Sequence, residues 1–204
     1  MKVLELFSGT ESFSKVARER GHEAFTVDIG LHLSPDLCID IMDLKPNMIP
    51  FKPDVIWASP PCTTFSIASV STHWNNHVPK SQQCKDAMKM IAKTLELIIL
   101  LKPKYYIIEN PMGMLRKMPI YEVMNKDKVT YCQYGDTRMK PTDLFHNLTN
   151  FKPKCCKNGM PCHIAAPRGS KTGTQGLKNA KERGIVPREL CLEIIKICEN
   201  KTKY

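Results

Sequence analysis

The sequence predicts an α/β protein with a Rossmann-like, doubly wound and mostly parallel sheet. Three observations predict it. Short apolar, β-branched runs of strand length recur through the first half of the chain. Helical spacings lie between them. The resulting order, βαβ…β…βαβ, is the one that winds helices onto both faces of a parallel sheet. A chain of 204 residues is long enough to bury a sizeable core as one domain, with or without an appendage.

"KVLELF" (2–7) reads as the first strand and runs into a small-residue turn, "SGTES". From Glu11 to Arg20, Phe13, Val16 and Ala17 recur at helical steps, and Gly21 closes the helix as a C-cap. "EAFTVDI" is a second strand closing on Asp28, "LCIDI" a short third with Asp40 near its end, and "DVIWA" a fourth. Between Ser81 and Leu101, Cys84, Ala87, Met88, Ile91, Leu95 and Ile98 mark the clearest helix, stopped by Lys102-Pro103. "YYIIEN" is a fifth strand that runs into Pro111. Beyond it, "KVTYCQYGD" reads as one more strand and "DLFHN" as a short partner. The final helical stripe, Leu190, Ile194, Ile197 and Cys198, begins near Pro187.

The formal charge of +10, from 30 basic against 20 acidic residues, suits a polyanionic partner such as nucleic acid, and equally a lysine-rich solvated surface. Nine cysteines without a framework spacing exclude a secreted disulfide scaffold. Glu5 interrupts the only apolar run near the start, and "LELIILL" is too short to span a bilayer. We therefore expect a reduced, intracellular, cytoplasmic protein that does not engage a membrane, its cysteines serving packing, metal binding or catalysis.

In a doubly wound sheet the carboxyl ends of the parallel strands converge, and ligands bind there. That edge would gather "FSGTES", Asp28, Asp40, Cys62 and Glu109. Cys62 stands in "SPPCTTFS", where Pro60 and Pro61 end the fourth strand and stiffen the loop. The turn "FSGTES" has one glycine where a dinucleotide fingerprint needs three. It suits S-adenosylmethionine, which lacks a pyrophosphate, with the helix N-terminus facing the carboxylate, Glu11 the ammonium and Asp28 the ribose. A plain Rossmann turn accounts for the same residues.

Together, "LELFSGTESFSKVARERGHEAFTVDI", "SPPCTTFS", "YYIIENP" and "YCQYGDTRMKPTDLF" resemble, in order, four motifs of the DNA (cytosine-5) methyltransferases. The likeness covers roughly residues 1 to 150, and "CQYGDTRMKPTDLF" resembles the compact members from phage and prophage genomes. It implies methyl transfer from S-adenosylmethionine to C5 of cytosine. Cys62 would add to C6, Glu109 would hold a proton at N3 in a carboxyl raised by burial, and Arg138 would orient the base at O2. A thiol needs a setting that favours thiolate, which the basic site would offer. The resemblance implies a cofactor site of Phe7, Ser8, Gly9, Thr10, Glu11 and Ser12 with Asp28, Ile29, Asp40, Ile41, Ser59 and Pro60. Glu11 and Ser12 stand where the family commonly has glycine, "ENP" replaces "ENV", and Lys140 takes the place of a second arginine.

The resemblance divides the chain into a catalytic core, 1–150, and a short basic, Cys- and Gly-containing segment with a closing helix, 151–204, in place of a full target-recognition domain. There, Arg168, Lys171 and Lys178 in "APRGSKTGTQGLKNAKERG" are candidates to grip a nucleic-acid backbone, along with Ser66 and Lys140. "CCKNGMPCH" offers Cys155, Cys156, Cys162 and His163 as candidate zinc ligands, although C-x5-C-H is not a standard spacing and Cys155 or a residue elsewhere must supply the fourth. DNA is the expected partner, with base extrusion and relaxed specificity or a specificity partner protein. The alternatives are an RNA cytosine-5 methyltransferase and an inactive nucleic-acid-binding relative. If the protein is phage-encoded, it would work in the host cytoplasm.

Overall fold

The computed structural model describes residues 1–122, 124–165 and 180–200. Its parallel strands are covered on both faces, so their sequences read as nearly continuous apolar runs. β1 (Lys2–Leu6) leads through a tight turn to α1 (Ser12–Glu19), followed by β2 (Glu23–Asp28), β3 (Leu37–Cys38) and β4 (Val55–Ala58). A short helix α2 (Val70–His73) and a small hairpin, β5 (Trp74–Asn75) with β6 (Val78–Pro79), precede the long helix α3 (Gln82–Leu101). β7 (Tyr105–Pro111), α4 (Pro119–Glu122), β8 (Lys126–Thr130) and β9 (Pro141–His146) complete the sheet. α5 (Ala180–Gly184) and α6 (Arg188–Glu199) end the described chain.

The sheet order is β3-β2-β1-β4-β7-β9-β8. The first five run parallel, and β9 lies antiparallel to both its neighbours. Alternation along the strands splits the core in two. Leu4, Leu6, Ile56, Ala58 and Ile108 face α3 and its surroundings. Val3, Val55, Trp57, Tyr105 and Ile107 face α1 and α6, where Phe13 stacks on Trp57 at 4.6 Å between ring centroids. Glu5 and Glu109 are next in register on this second face, so two carboxylates are carried inward by the pleat itself.

α3 starts at Ser81, whose hydroxyl accepts the Cys84 amide at 3.1 Å, an N-cap. α6 buries Leu190, Cys191, Ile194, Ile195 and Cys198 in the α1-side core, while the expected Ile197 only flanks it. The closing helix thus shares the core of the first 150 residues. Exposed pairs Arg20–Glu199 (2.7 Å) and Arg188–Glu19 (2.6 Å) join it to the end of α1, and solvent screening keeps their contribution small.

Three expectations are corrected. "LCIDI" pairs only at Leu37–Cys38, because the Asp40 carboxylate takes the Met42 amide at 2.9 Å and turns the chain. "KVTYCQYGD" is a strand only to Thr130; Tyr131–Tyr134 form a 3₁₀ turn that buries Tyr131, Cys132 and Tyr134, and Gly135 leaves it at φ 84°. In "APRGSKTGTQGLKNAKERG", expected as a loop, the last five residues form α5, while 166–179 lie outside the described residues. Among the described residues, no helix is long and apolar enough to cross a membrane.

Candidate active site

The carboxyl ends of β1, β4 and β7 open onto a cavity of about 410 Å³ that contains Cys62, Glu109 and Lys140. The cysteine loop is fixed by main-chain bonds and by side chains that donate to its carbonyls, among them Ser69 to Thr63 and Trp74 to Thr64. Ser59 donates its amide to Leu6 at 3.2 Å, and Asn110 donates its side-chain amide to the Pro60 carbonyl at 3.0 Å. The amides of Phe65 and Ser66 both reach the Cys62 carbonyl at 3.0 Å. On the far side the Met114 amide reaches the Phe65 carbonyl at 2.7 Å. Gly113 permits that approach, since a Cβ there would stand 2.1 Å from the same oxygen. Asn110 and Gly113 therefore tie the loop after β7 to the loop after β4.

Glu109 is only 5% exposed. One oxygen, Oε1, accepts the Tyr131 hydroxyl at 2.7 Å and lies 3.6 Å from the Lys140 ammonium. Lys140 also sits 4.5 Å from the Tyr131 ring centroid and donates to the Arg183 carbonyl at 3.1 Å. Burial, then the Glu109 carboxylate, pushes the Cys62 thiol up, while Lys140 and Arg183 pull it down less strongly. The expectation that the basic site favours thiolate is thus corrected: desolvation and one acid outweigh two cations.

Arg138 lines the cavity, but all three of its guanidinium nitrogens are engaged. They bind Asp136 and the carbonyls of Glu182 (3.0 Å), Arg183 (3.3 Å) and Ile185 (3.1 Å). Those carbonyls belong to α5 and the bend after it, so this arginine draws the C-terminal segment over the site. The nearest cation to Glu109 is Lys140, held at φ 25°.

A second cavity of about 220 Å³ shares Phe7, Ser59 and Pro61 with the first and extends along the ends of β2 and β3. It holds Asp28, Ile29, Asp40 and Ile41, while Ser8, Gly9, Thr10, Ser12 and Pro60 line the larger one. Asp28 takes the amides of Gly9 (2.9 Å) and Gly30 (2.8 Å), which shapes the turn after β1. The buried Ser8 hydroxyl has no partner, an open donor and acceptor beside the cavity. Glu11 is the exception in the expected set. It lies in neither cavity, and its carboxylate takes Arg18 at 2.7 Å. Its φ of 55° is the left-handed conformation that glycine would supply without strain.

Glu5 went unread in the sequence as a functional residue, although an acid inside a buried strand is itself a signal. It is 2% exposed, lines the larger cavity, and accepts the amides of Phe13 (3.3 Å) and Ser14 (2.7 Å), capping α1 where Glu11 does not. Burial raises its carboxyl from 4.5 to about 7. The folded protein then holds this proton to higher pH than the unfolded chain, so the contribution of Glu5 to stability falls as pH rises from about 4.5 to about 7. Urea unfolding at pH 5 and pH 8 should show a loss of up to about 3 kcal/mol, flattened in Glu5→Gln. An equal slope in both proteins would refute the assignment.

Of the expected nucleic-acid contacts, Ser66 is half-buried and its hydroxyl pairs with Ser69 at 3.0 Å, within the cysteine-loop turn. Arg168, Lys171 and Lys178 lie outside the described residues. Of the expected metal ligands, Cys156, Cys162 and His163 converge, but Cys155 does not. Its thiol donates to the Lys128 carbonyl at 2.8 Å, and Cys132, from the turn after β8, completes the group. The adjacent thiols of Cys155 and Cys156 thus go to different partners, Lys128 and Cys132.

The chain resembles known proteins over the same elements. The family model of the C-5 cytosine-specific DNA methylases matches residues 1–126. A Frog virus 3 (isolate Goorha) protein named "Probable DNA (cytosine-5)-methyltransferase" is 30% identical over 219 residues, 97% of this chain and all of that protein. Among solved structures, one assigned as a DNA modification methyltransferase encoded within an E. coli prophage superposes with TM-score 0.56 at 19% identity over 81% of this chain. The S. pombe Dnmt2 methyltransferase does so with TM-score 0.51 at 17% identity over 76%. This chain spans 57% and 51% of the length of those two chains. The fold is that of the class I S-adenosylmethionine-dependent methyltransferases. With the family model matched over more than half its residues and a viral relative matched along nearly its whole length, the chain belongs to the C-5 cytosine-specific DNA methylase family.

Proposed function

We propose that the protein methylates C5 of cytosine in DNA through a covalent bond between Cys62 and C6. The observation that carries this reading is the placement of Cys62 and Glu109 in one cavity at the ends of adjacent strands, with Asn110 bridging their loops. The cavity suits an extruded base: its volume of about 410 Å³ is that of a small-ligand pocket, and Glu109 offers an oxygen not taken by Tyr131.

The Cys62 thiol gives up its proton to solvent, its sulfur forms a bond to C6, and the C5–C6 π pair becomes available at C5. Glu109 holds a proton at N3, which draws off the charge as the sulfur adds. Once C5 is methylated, loss of its proton and expulsion of the sulfur restore the ring. We assign the cation at the base to Lys140, because Arg138 is committed to Asp136 and the 182–185 carbonyls. S-adenosylmethionine supplies an electrophilic methyl group. The smaller cavity, with Asp28 and Asp40, fits its adenosine, and the Ser8–Thr10 turn fits its amino-acid end.

The test uses DNA and RNA oligonucleotides carrying 5-fluorocytosine, whose fluorine blocks the last elimination. With S-adenosylmethionine, a mass increase equal to the methylated strand on DNA is the expected result. An adduct on RNA alone would move the substrate to RNA, and no adduct on cytosine in any context would end the proposal.

A further inference from the structure

Away from the catalytic cavity, Cys132, Cys156, Cys162 and His163 bring three sulfurs and an imidazole nitrogen within 4.8 Å of one another. Cys132 follows β8 in the sheet, whereas the other three come from the segment after β9. The Sγ–Sγ separations are 3.1 Å for Cys132–Cys156 and 3.7 Å for Cys132–Cys162. His163 Nδ1 lies 3.7 Å from Cys156 and 3.6 Å from Cys162. A tetrahedral zinc with Zn–S of about 2.3 Å and Zn–N of about 2.0–2.1 Å has S···S edges of about 3.8 Å and S···N edges of about 3.6 Å. Of the six edges, three match that tetrahedron, Cys132–Cys156 is short, and the remaining two lie within 4.8 Å.

We propose that these four residues form a closed Cys₃His structural zinc site. The surroundings give the metal a task. Residues 154–164 lie along 130–137 through a few polar bonds: Thr130 amide to Lys154 carbonyl (3.1 Å), Cys156 amide to Thr130 Oγ1 (2.8 Å) and Ile164 amide to Thr137 carbonyl (2.8 Å). Most side chains from Lys152 to Pro161 are exposed, so no apolar core fastens this segment. A metal joining Cys132 to Cys156, Cys162 and His163 supplies the missing fastening, and four protein ligands leave no open position for catalysis. It also anchors the strip that holds Thr137, next to the Asp136–Arg138 pair that carries α5. A disulfide between Cys132 and Cys156 would account for the short edge only, and would leave Cys162 and His163 facing it for no purpose. This inference stands apart from the reading of the catalytic cavity.

The full chain, purified under reducing conditions without added metal, should carry about one zinc per molecule by elemental mass spectrometry. Chelation should lower its Tm by at least about 10 °C. Cobalt(II) exchanged into the wild-type protein should give the intense visible bands of tetrahedral thiolate ligation, a readout that needs no variant to fold. Cys162→Ser and His163→Ala should lose the metal, and Cys155→Ser should keep it. Metal-free wild type with a Cys132–Cys156 disulfide, or loss of zinc from Cys155→Ser as complete as from Cys162→Ser, would overturn the site.

Discussion

Cys62→Ser is expected to lower kcat for cytosine methylation by at least about 10⁴-fold, with cofactor affinity held within about twofold. The serine hydroxyl cannot supply an anionic nucleophile near neutral pH, whereas a thiol supplies some even when its pKa is raised. The substitution leaves the loop intact, because the loop is held through the Cys62 carbonyl and not through the sulfur: the amides of Phe65 and Ser66 both end on that oxygen. Cofactor binding measured by calorimetry beside single-turnover methylation separates the two effects. A variant within tenfold of wild type would remove Cys62 from the chemistry, and one that no longer bound cofactor would mean the loop had collapsed.

Glu109→Gln is expected to split two rates that a structural defect would move together. Methylation should fall by about 10²–10⁴-fold, because an amide cannot hold the proton at N3. Alkylation of Cys62 by iodoacetamide should become faster at any pH below its midpoint. The Glu109 carboxylate is one of the groups that push the thiol up, and Lys140, which pulls it down, remains. The amide oxygen can still accept the Tyr131 hydroxyl, so the surrounding geometry is conserved. The pH profile of alkylation, followed by mass, reads the shift directly as a lower midpoint. If both rates fell, Glu109 would be supporting the loop and not the proton.

Much of the catalytic edge was legible because strand ends are local features. Cys62 after a double proline and Glu109 at the close of "YYIIE" could be read from their own neighbours, and topology then brought them together. What depends on remote partners was not legible. Cys132 lies 24 residues before Cys156, inside a stretch that reads as a strand, and its part in the cluster appears only once Tyr131–Tyr134 turn. The commitment of Arg138 to carbonyls 44 to 47 positions later is equally invisible, since main-chain acceptors leave no mark in a sequence. Glu5 was hidden for a different reason. Its charge was read as an interruption of an apolar run, whereas burial beneath the amides of Phe13 and Ser14 makes it the cap of α1. Glu11 reads as facing the ligand, whereas its carboxylate accepts Arg18 two turns along α1, a pairing that depends on the left-handed turn at Glu11.

The way α5 is fastened sets what selection can change. Arg138 and Lys140 grip the carbonyl oxygens of Glu182, Arg183 and Ile185, atoms that every amino acid carries. Arg183 also lines the cavity and helps pull the Cys62 thiol down, but the side chains of Glu182 and Ile185 are released from the work of holding the segment. Their identities can drift toward new surfaces over the mouth of the cavity while the two cations beneath stay in place. That separates the part able to diversify from the part obliged to stay the same.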